Sequence, residues 1–380
     1  MTTIYLDHAA TTPVHPAVTQ KYTELLNSLF GNPSSIHSYG REARKYLDEA
    51  RKSLAQSINA KPNEIIFTSG GTEADNIAIF GTVNAMKDKG NHIITTNSEH
   101  HAVLNTCKQL LLEGYEVTFL EVDHNGQISV DQVEQALTEE TILVTIMLGN
   151  NEVGTIQPIR EIGNLLQNHQ AVFHTDAVQA FGILPIDVDE LQVDLMSVSS
   201  HKLNGPKGVG FLYERSGMMT KPHLYGGEQE RKRRAGTENV PAIVAFSDAV
   251  KIAYETITEN TKKYHGFKNI MTTELLEQNV KFSVNAIEAE RLPHIINISF
   301  PGTDIESLLV NLDMAGVCVS SGSACTAGSL DPSHVLTAMY GEGAPELRNS
   351  VRFSFGLGLD EEQIKTAILT TADIVKRLVK

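Results

Sequence analysis

One thiol in this chain stands apart. Cys325 sits in the run Ser320-Ser321-Gly322-Ser323-Ala324-Cys325-Thr326, whose small residues offer nothing to bury a sulfur in a packed core. Sulfur attacks as thiolate, and an exposed loop leaves its deprotonation open to whatever cationic group it meets. The segment reads as an arm presenting a nucleophile, or, taken alone, as a Gly/Ser surface loop with an incidental cysteine. Lys202 is the second reactive candidate. It closes Ser199-Ser200-His201-Lys202 directly after the apolar run Val193 to Val198, and Asn204-Gly205-Pro206-Lys207-Gly208 then turns the chain. Most lysines are solvated at the surface; one at a buried strand end can have its amine freed for Schiff-base chemistry.

Three further junctions of the same kind follow apolar runs. Thr68-Ser69-Gly70-Gly71-Thr72-Glu73 combines glycines, hydroxyls and a helix start, which suits a phosphate or, equally, a plain helix cap. No Gly-Lys-Ser follows, which excludes a nucleotide P-loop. Asp176, with Gln179 three residues on, ends Ala171 to Thr175. A carboxylate there either caps the next helix or meets a cation such as a protonated pyridine nitrogen. Ser98-Glu99-His100-His101-Ala102-Val103 opens a helix. Adjacent histidines point apart on a helix and the HExxH spacing is missing, so no metal site is expected; an imidazole stacked on a flat ring fits His100, and a structural role fits His101. A phosphate cradle, a ring-nitrogen carboxylate, an aldehyde-binding lysine and a stacking imidazole together compose a pyridoxal phosphate site.

Holding these junctions in place requires alternating strands and helices. Glu64 to Thr68, His92 to Thr95 and Thr141 to Met147 each precede a helical pattern, which predicts βαβ units and a largely parallel, doubly covered sheet. Little helix separates Val193–Ser197 from Val209–Tyr213, so the sheet is expected to be mixed. A long helix from Val240 leads into a smaller α/β unit with strands near Ile295 and Ser350.

The chain has 380 residues, 41% hydrophobic and 20% charged, an ordinary globular composition with room for one large core and one smaller. Cys107, Cys318 and Cys325 lack paired spacing, which points to a reducing compartment and so the cytoplasm. No leader or membrane-spanning stretch is expected. A net charge of -15 argues against general nucleic-acid affinity.

The segments Tyr5-Leu6-Asp7-His8-Ala9-Ala10-Thr11-Thr12-Pro13, Phe30-Gly31-Asn32-Pro33-Ser34-Ser35, Phe67 to Glu73, Asn150-Asn151-Glu152, His174 to Gln179, Ser199 to Lys202 and the Cys325 run resemble, in order and nearly end to end, the cysteine desulfurase family. The resemblance implies the fold type I architecture of pyridoxal phosphate enzymes: an α/β large domain over 13–258 with a seven-stranded, mostly parallel sheet, and a small domain from 1–12 and 259–380. It implies a homodimer that converts L-cysteine to L-alanine and holds the sulfur as a persulfide on Cys325. Lys202 looks like the Schiff-base lysine, Asp176 the pyridine-nitrogen partner and His100 the stacked acid/base. Gly71, Thr72, Ser199 and His201 look like the phosphate cradle, joined by Thr237 of a neighbouring subunit. Gln179 and Asn151 resemble contacts to ring oxygen and substrate, and Arg352 the bidentate clamp on the substrate carboxylate.

Two departures stand out. Ser200 replaces a frequent glycine, a change expected to cost little. The chain stops at Lys380, soon after a terminal helix, like short-tailed forms dedicated to tRNA thiolation or another acceptor; an iron-sulfur scaffold is the alternative. The basic run Arg231-Lys232-Arg233-Arg234 reads either as a solvated loop or as a surface for an acidic acceptor protein, with direct tRNA contact a weaker option. Competing readings are a selenocysteine lyase or aminotransferase on the same fold, or a non-enzymatic sulfur-relay subunit.

Overall fold

The computed structural model describes residues 3–218, 220–321 and 332–379. Strand Ile4–Tyr5 (β1) opens it, followed by helices Pro16–Ser28 (α1) and Ser38–Gln56 (α2). The alternation expected from the sequence then runs through Ile65–Thr68 (β2), Gly71–Met86 (α3), His92–Thr96 (β3), His101–Leu112 (α4), Glu116–Leu120 (β4), Val130–Ala136 (α5), Thr141–Thr145 (β5), Ile159–Leu166 (α6), Val172–Asp176 (β6), Val188–Leu191 (α7), Leu195–Ser199 (β7) and Gly210–Glu214 (β8). Among the described residues these strands form a seven-stranded sheet of order β2-β8-β7-β6-β5-β3-β4. Only β8 runs antiparallel to its neighbours, because the turn over 200–209 is too short for a parallel crossover.

Both faces of the sheet are covered. Ile65, Phe67, Ile94, Val144 and Phe173 join one core, while Ile66, Ile93, Leu143, Val172 and Leu212 pack with Ala74, Ile77, Ala78 and Val103 of α3 and α4 on the other side. Successive strand residues face opposite ways, so a strand covered on both sides must be apolar throughout.

The 38-residue helix Val240–Glu277 (α8), capped by Asn239, is about 57 Å long at 1.5 Å per residue. It buries Ile243, Phe246 and Val250 in the large core, and Tyr264, Phe267, Met271 and Leu275 in another. That second core also takes Ile4 and Leu6, with side chains from Ile295–Ser299 (β10), Ile305–Met314 (α9), Ser350–Ser354 (β12) and Glu361–Leu378 (α11). Here β10 lies between β12 and Ser283–Val284 (β9) in an antiparallel sheet, and β1 pairs with Val317–Cys318 (β11). Helix His334–Tyr340 (α10) leans instead on the large core. We propose that the cores mark two domains; the division expected after residue 258 falls inside α8, between Val250 and Tyr264. No helix among the described residues is long and apolar enough to cross a membrane.

Candidate active site

Strand ends β6 and β7, the starts of α3 and α4, and the segment after β1 converge on a cavity of about 290 Å³. Its phosphate-like end is built by glycines. Gly70 takes a φ of 149°, closed to most side chains, and a Cβ on Gly71 would stand 2.7 Å from Val178 Cγ2. Thr72 follows in the first turn of α3, whose positive dipole end suits an anion. Ser199 and His201 face the same space from the end of β7. Burial first, then the charges of Lys202 and Lys207, lower the His201 pKa to about 4, so this cradle attracts an anion through helix and hydroxyl dipoles more than through the imidazole.

Deeper in, Asp176 is the last residue of β6. One carboxylate oxygen accepts the Val178 N–H at 2.8 Å, and burial raises its pKa above the ordinary carboxylate range. His100 caps α4: its Nδ1 accepts the Ala102 N–H at 3.1 Å, which leaves the ring proton of the neutral form on Nε2. Burial and then the Lys202 charge lower its pKa to about 4. Lys202 donates to the carbonyls of Ala9 at 2.6 Å and Ala10 at 2.9 Å. Gln179 donates to the same Ala9 carbonyl at 2.8 Å, and His294 approaches its Oε1 at 3.4 Å. The lysine and the glutamine are thus fixed to one stretch of N-terminal backbone.

At the mouth, Arg352 is 1% exposed. Its Nη2 donates to Asp7 at 2.7 Å and its Nη1 to the Asn151 carbonyl at 2.8 Å. The Asn151 side-chain oxygen is buried without a protein partner, an acceptor at the cavity wall that a bound molecule can satisfy. The donor and acceptor set fits pyridoxal phosphate. An anion-binding helix start stands at one end, a buried carboxylate suited to a cationic ring nitrogen faces the floor, and a primary amine and an orphaned acceptor stand at the wall.

Of the residues expected from the sequence, Gly71, Thr72, His100, Asn151, Asp176, Gln179, Ser199, His201, Lys202 and Arg352 all line this one cavity. Thr237 does not; it is exposed on the segment before α8. Cys325 lies outside the described residues. Sequence reasoning missed the Ala9 and Ala10 carbonyls, Asp7, Asp75 and a cluster at the rim. There the rings of His101 and His334 approach with centroids 4.5 Å apart, His334 Nε2 meets the Glu99 carbonyl at 2.8 Å, and Ser333 donates to Glu152. Asp75 carried a faint local signal, an acid three residues after Thr72 that faces the interior while its neighbour Glu73 pairs with Arg234.

The basic run is not a free surface cluster. Arg233 pairs with Glu214 at 3.0 Å, Arg234 with Glu73 at 2.6 Å and Lys232 with Glu228 at 3.0 Å. Arg51 holds Glu230 at 2.6 Å. The segment is a strap tied to α2, α3 and β8, and only Arg231 and Lys232 of the four cations are exposed. The Ser200 hydroxyl is buried with no partner among the described residues, directly over Gly205, where a Cβ would fall 2.1 Å from the oxygen.

A fold and a site of this kind define a class-V aminotransferase, and the model of that family matches residues 4–366. The chain is 60% identical over 378 residues to the IscS 1 protein of Bacillus subtilis (strain 168), covering 100% of both. It is 45% identical over 379 residues to the cysteine desulfurase IscS of Dictyoglomus turgidum, covering 99% of this chain and 94% of that one. Among solved structures, a NifS-like protein superposes with a TM-score of 0.92 at 34% identity, covering 99% of this chain and 100% of the other. SspA in complex with cysteine does so with a TM-score of 0.81 at 37% identity, covering 92% and 98%. The chain belongs to the cysteine desulfurase family, and its architecture is the fold type I of pyridoxal phosphate enzymes.

Proposed function

We propose that this cavity binds pyridoxal phosphate and L-cysteine, and that the protein transfers the substrate sulfur to Cys325, releasing L-alanine. The observation that carries this reading is the meeting of Lys202, Asp176, His100 and Arg352 in one buried cavity, drawn from widely separated parts of the sequence. Bound there, pyridoxal phosphate supplies an electron sink that weakens bonds at the substrate's α and β carbons. Thr72, Gly71, Ser199 and His201 hold its phosphate, Asp176 offers a negative charge to its ring nitrogen, and Gln179 and Asn151 position the ring oxygen and the substrate.

The remaining work belongs to side chains. Lys202 provides an amine that takes and returns protons, held at the cavity wall by the Ala9 and Ala10 carbonyls. His100, uncharged through burial, carries a proton on Nε2 that it can give and recover. Arg352 orients the substrate carboxylate, with Asp7 fixing the guanidinium plane. The Cys325 thiolate attacks the cysteine sulfur: an S–S bond forms, the C–S bond breaks, its electron pair stays on carbon, and protonation there gives alanine. Sulfur remains as Cys325 persulfide, to be passed to an acceptor for tRNA thiolation or iron-sulfur assembly. Thr237 completes the phosphate site of a second copy in a homodimer, and the protein works in the cytoplasm.

The test supplies L-cysteine without any keto acid and measures alanine together with persulfide on the protein. Equal amounts of both in the first turnover are expected. Alanine formed only with a keto acid would point to an aminotransferase, and turnover of selenocysteine alone to a lyase.

A further inference from the structure

Behind the cavity floor lies a second carboxylate. Asp75 projects from α3 one turn after Thr72, is 1% exposed and lines the same cavity. One side-chain atom each of Asp75, Asp176 and His100 lie within 4.8 Å of one another. Its Oδ1 is buried without a hydrogen-bond partner.

Among the described residues no cation answers it. The nearest basic group, His174 Nε2 on β6, is 3.7 Å away, but burial lowers the His174 pKa to about 3 and its nitrogens are held by Thr145 at 2.8 Å and Ser197 at 3.0 Å. His100 is likewise uncharged. Burial raises the pKa of Asp176 while the Val178 N–H and then Lys202 oppose the rise, whereas Asp75 faces Asp176 and, from the turn after β3, the buried Glu99. Glu99 is itself held mostly protonated by burial, at about 8. Two buried carboxylates this close with one cation between them cannot both ionise.

We propose that Asp75 is the uncharged half of a carboxylate pair with Asp176, a positioning residue that keeps the pair's single negative charge on Asp176, opposite the cofactor's ring nitrogen. The cofactor half of this statement rests on the function proposed above; the proton on Asp75 does not. Burial and then the Asp176 charge raise the Asp75 pKa, and only the Ser197 hydroxyl is placed to lower it.

The proton is tested on apoprotein. A carboxyl whose pKa is raised on folding stabilises the fold below the ordinary carboxylate range, and that contribution is lost as pH rises through the folded value. Asp75→Asn carries no such proton. Its melting temperature minus that of wild type should therefore increase from about pH 5 to about pH 9, and the infrared band of a buried protonated carboxyl should weaken. A pH-independent difference with the band unchanged overturns the proposal. Should Asp75→Asn not fold, Asp75→Ser carries the same comparison.

The positioning role is tested with pyridoxal phosphate itself. Asp75→Asn should bind it within about threefold of wild type, while Asp176→Asn binds about a hundredfold more weakly. Equal losses in both variants would mean that Asp75 is ionised. If wild type binds no pyridoxal phosphate, the proposed function fails, whereas the apoprotein melts still decide the protonation of Asp75.

Discussion

Arg352 and Ser320 pair through their backbones: the Arg352 N–H donates to the Ser320 carbonyl at 2.7 Å, and the Ser320 N–H to the Arg352 carbonyl at 3.3 Å. The guanidinium at the cavity mouth and the approach to Cys325 are thereby fixed to one strand position. Beyond that segment, Ser333 and His334 are attached to Glu152 and Glu99. Both flanks of the thiol-bearing stretch are fastened to the cavity rim.

Arg352→Lys should be far from conservative. An ammonium puts all its donors on one nitrogen and loses the planar fork that reaches Asp7 and the Asn151 carbonyl from two separate nitrogens and presents a flat face to a carboxylate. Loss of one charge-assisted hydrogen bond corresponds to a drop of about 10- to 100-fold in kcat/KM. Steady-state kinetics should place it mainly in KM for cysteine; an unchanged KM removes Arg352 from substrate binding.

Lys202→Ala should abolish turnover while leaving the phosphate cradle intact. After borohydride reduction, mass spectrometry is expected to find pyridoxal phosphate attached at Lys202 in wild type and nowhere in the variant. An adduct persisting in the variant would move the attachment, with Lys207 the next candidate.

Cys325→Ser should bind cysteine yet form neither persulfide nor catalytic amounts of alanine. Burial raises the Cys107 pKa to about 12, and burial with Asp313 and Asp7 raises that of Cys318, so both stay thiols at neutral pH. Their serine variants should keep activity, although Cys107→Ser buries a hydroxyl among apolar side chains at a cost of about 1–3 kcal/mol. Sulfur-35 from labelled cysteine appearing on Cys107 or Cys318 would contradict the proposed transfer.

Ser200→Ala should stabilise the fold by about 1 kcal/mol by removing an unsatisfied buried hydroxyl. Gly205→Ala should destabilise it, since the new methyl meets the Ser200 oxygen. Denaturant melts of both variants check the pair. A destabilised Ser200→Ala would show that the hydroxyl has a partner, such as a buried water.

The strand-end residues were legible because they follow apolar runs: a polar side chain after Val193 to Val198 or Ala171 to Thr175 must lie where a buried strand opens. Asp7, Glu152 and the Ala9 and Ala10 carbonyls were not. They reach the cavity by folding across hundreds of residues, and a backbone carbonyl leaves no mark in the sequence. The same holds for Arg233 and Arg234. Their run reads as exposed charge because Glu214 and Glu73, which neutralise it, arrive from distant elements. Ser200 marks a different limit, as the cost of its hydroxyl depends on how closely Gly205 folds over it.

Helix α8 has a mechanical consequence. A flexible linker between two cores would let either one melt alone. Here one continuous rod has its first third in one interior and later turns in the other, so loosening either interior frees part of the scaffold the other needs. Heat should therefore dismantle both in a single cooperative transition, and a ligand tightening the cavity should delay the loss of the small core as much as that of the large one.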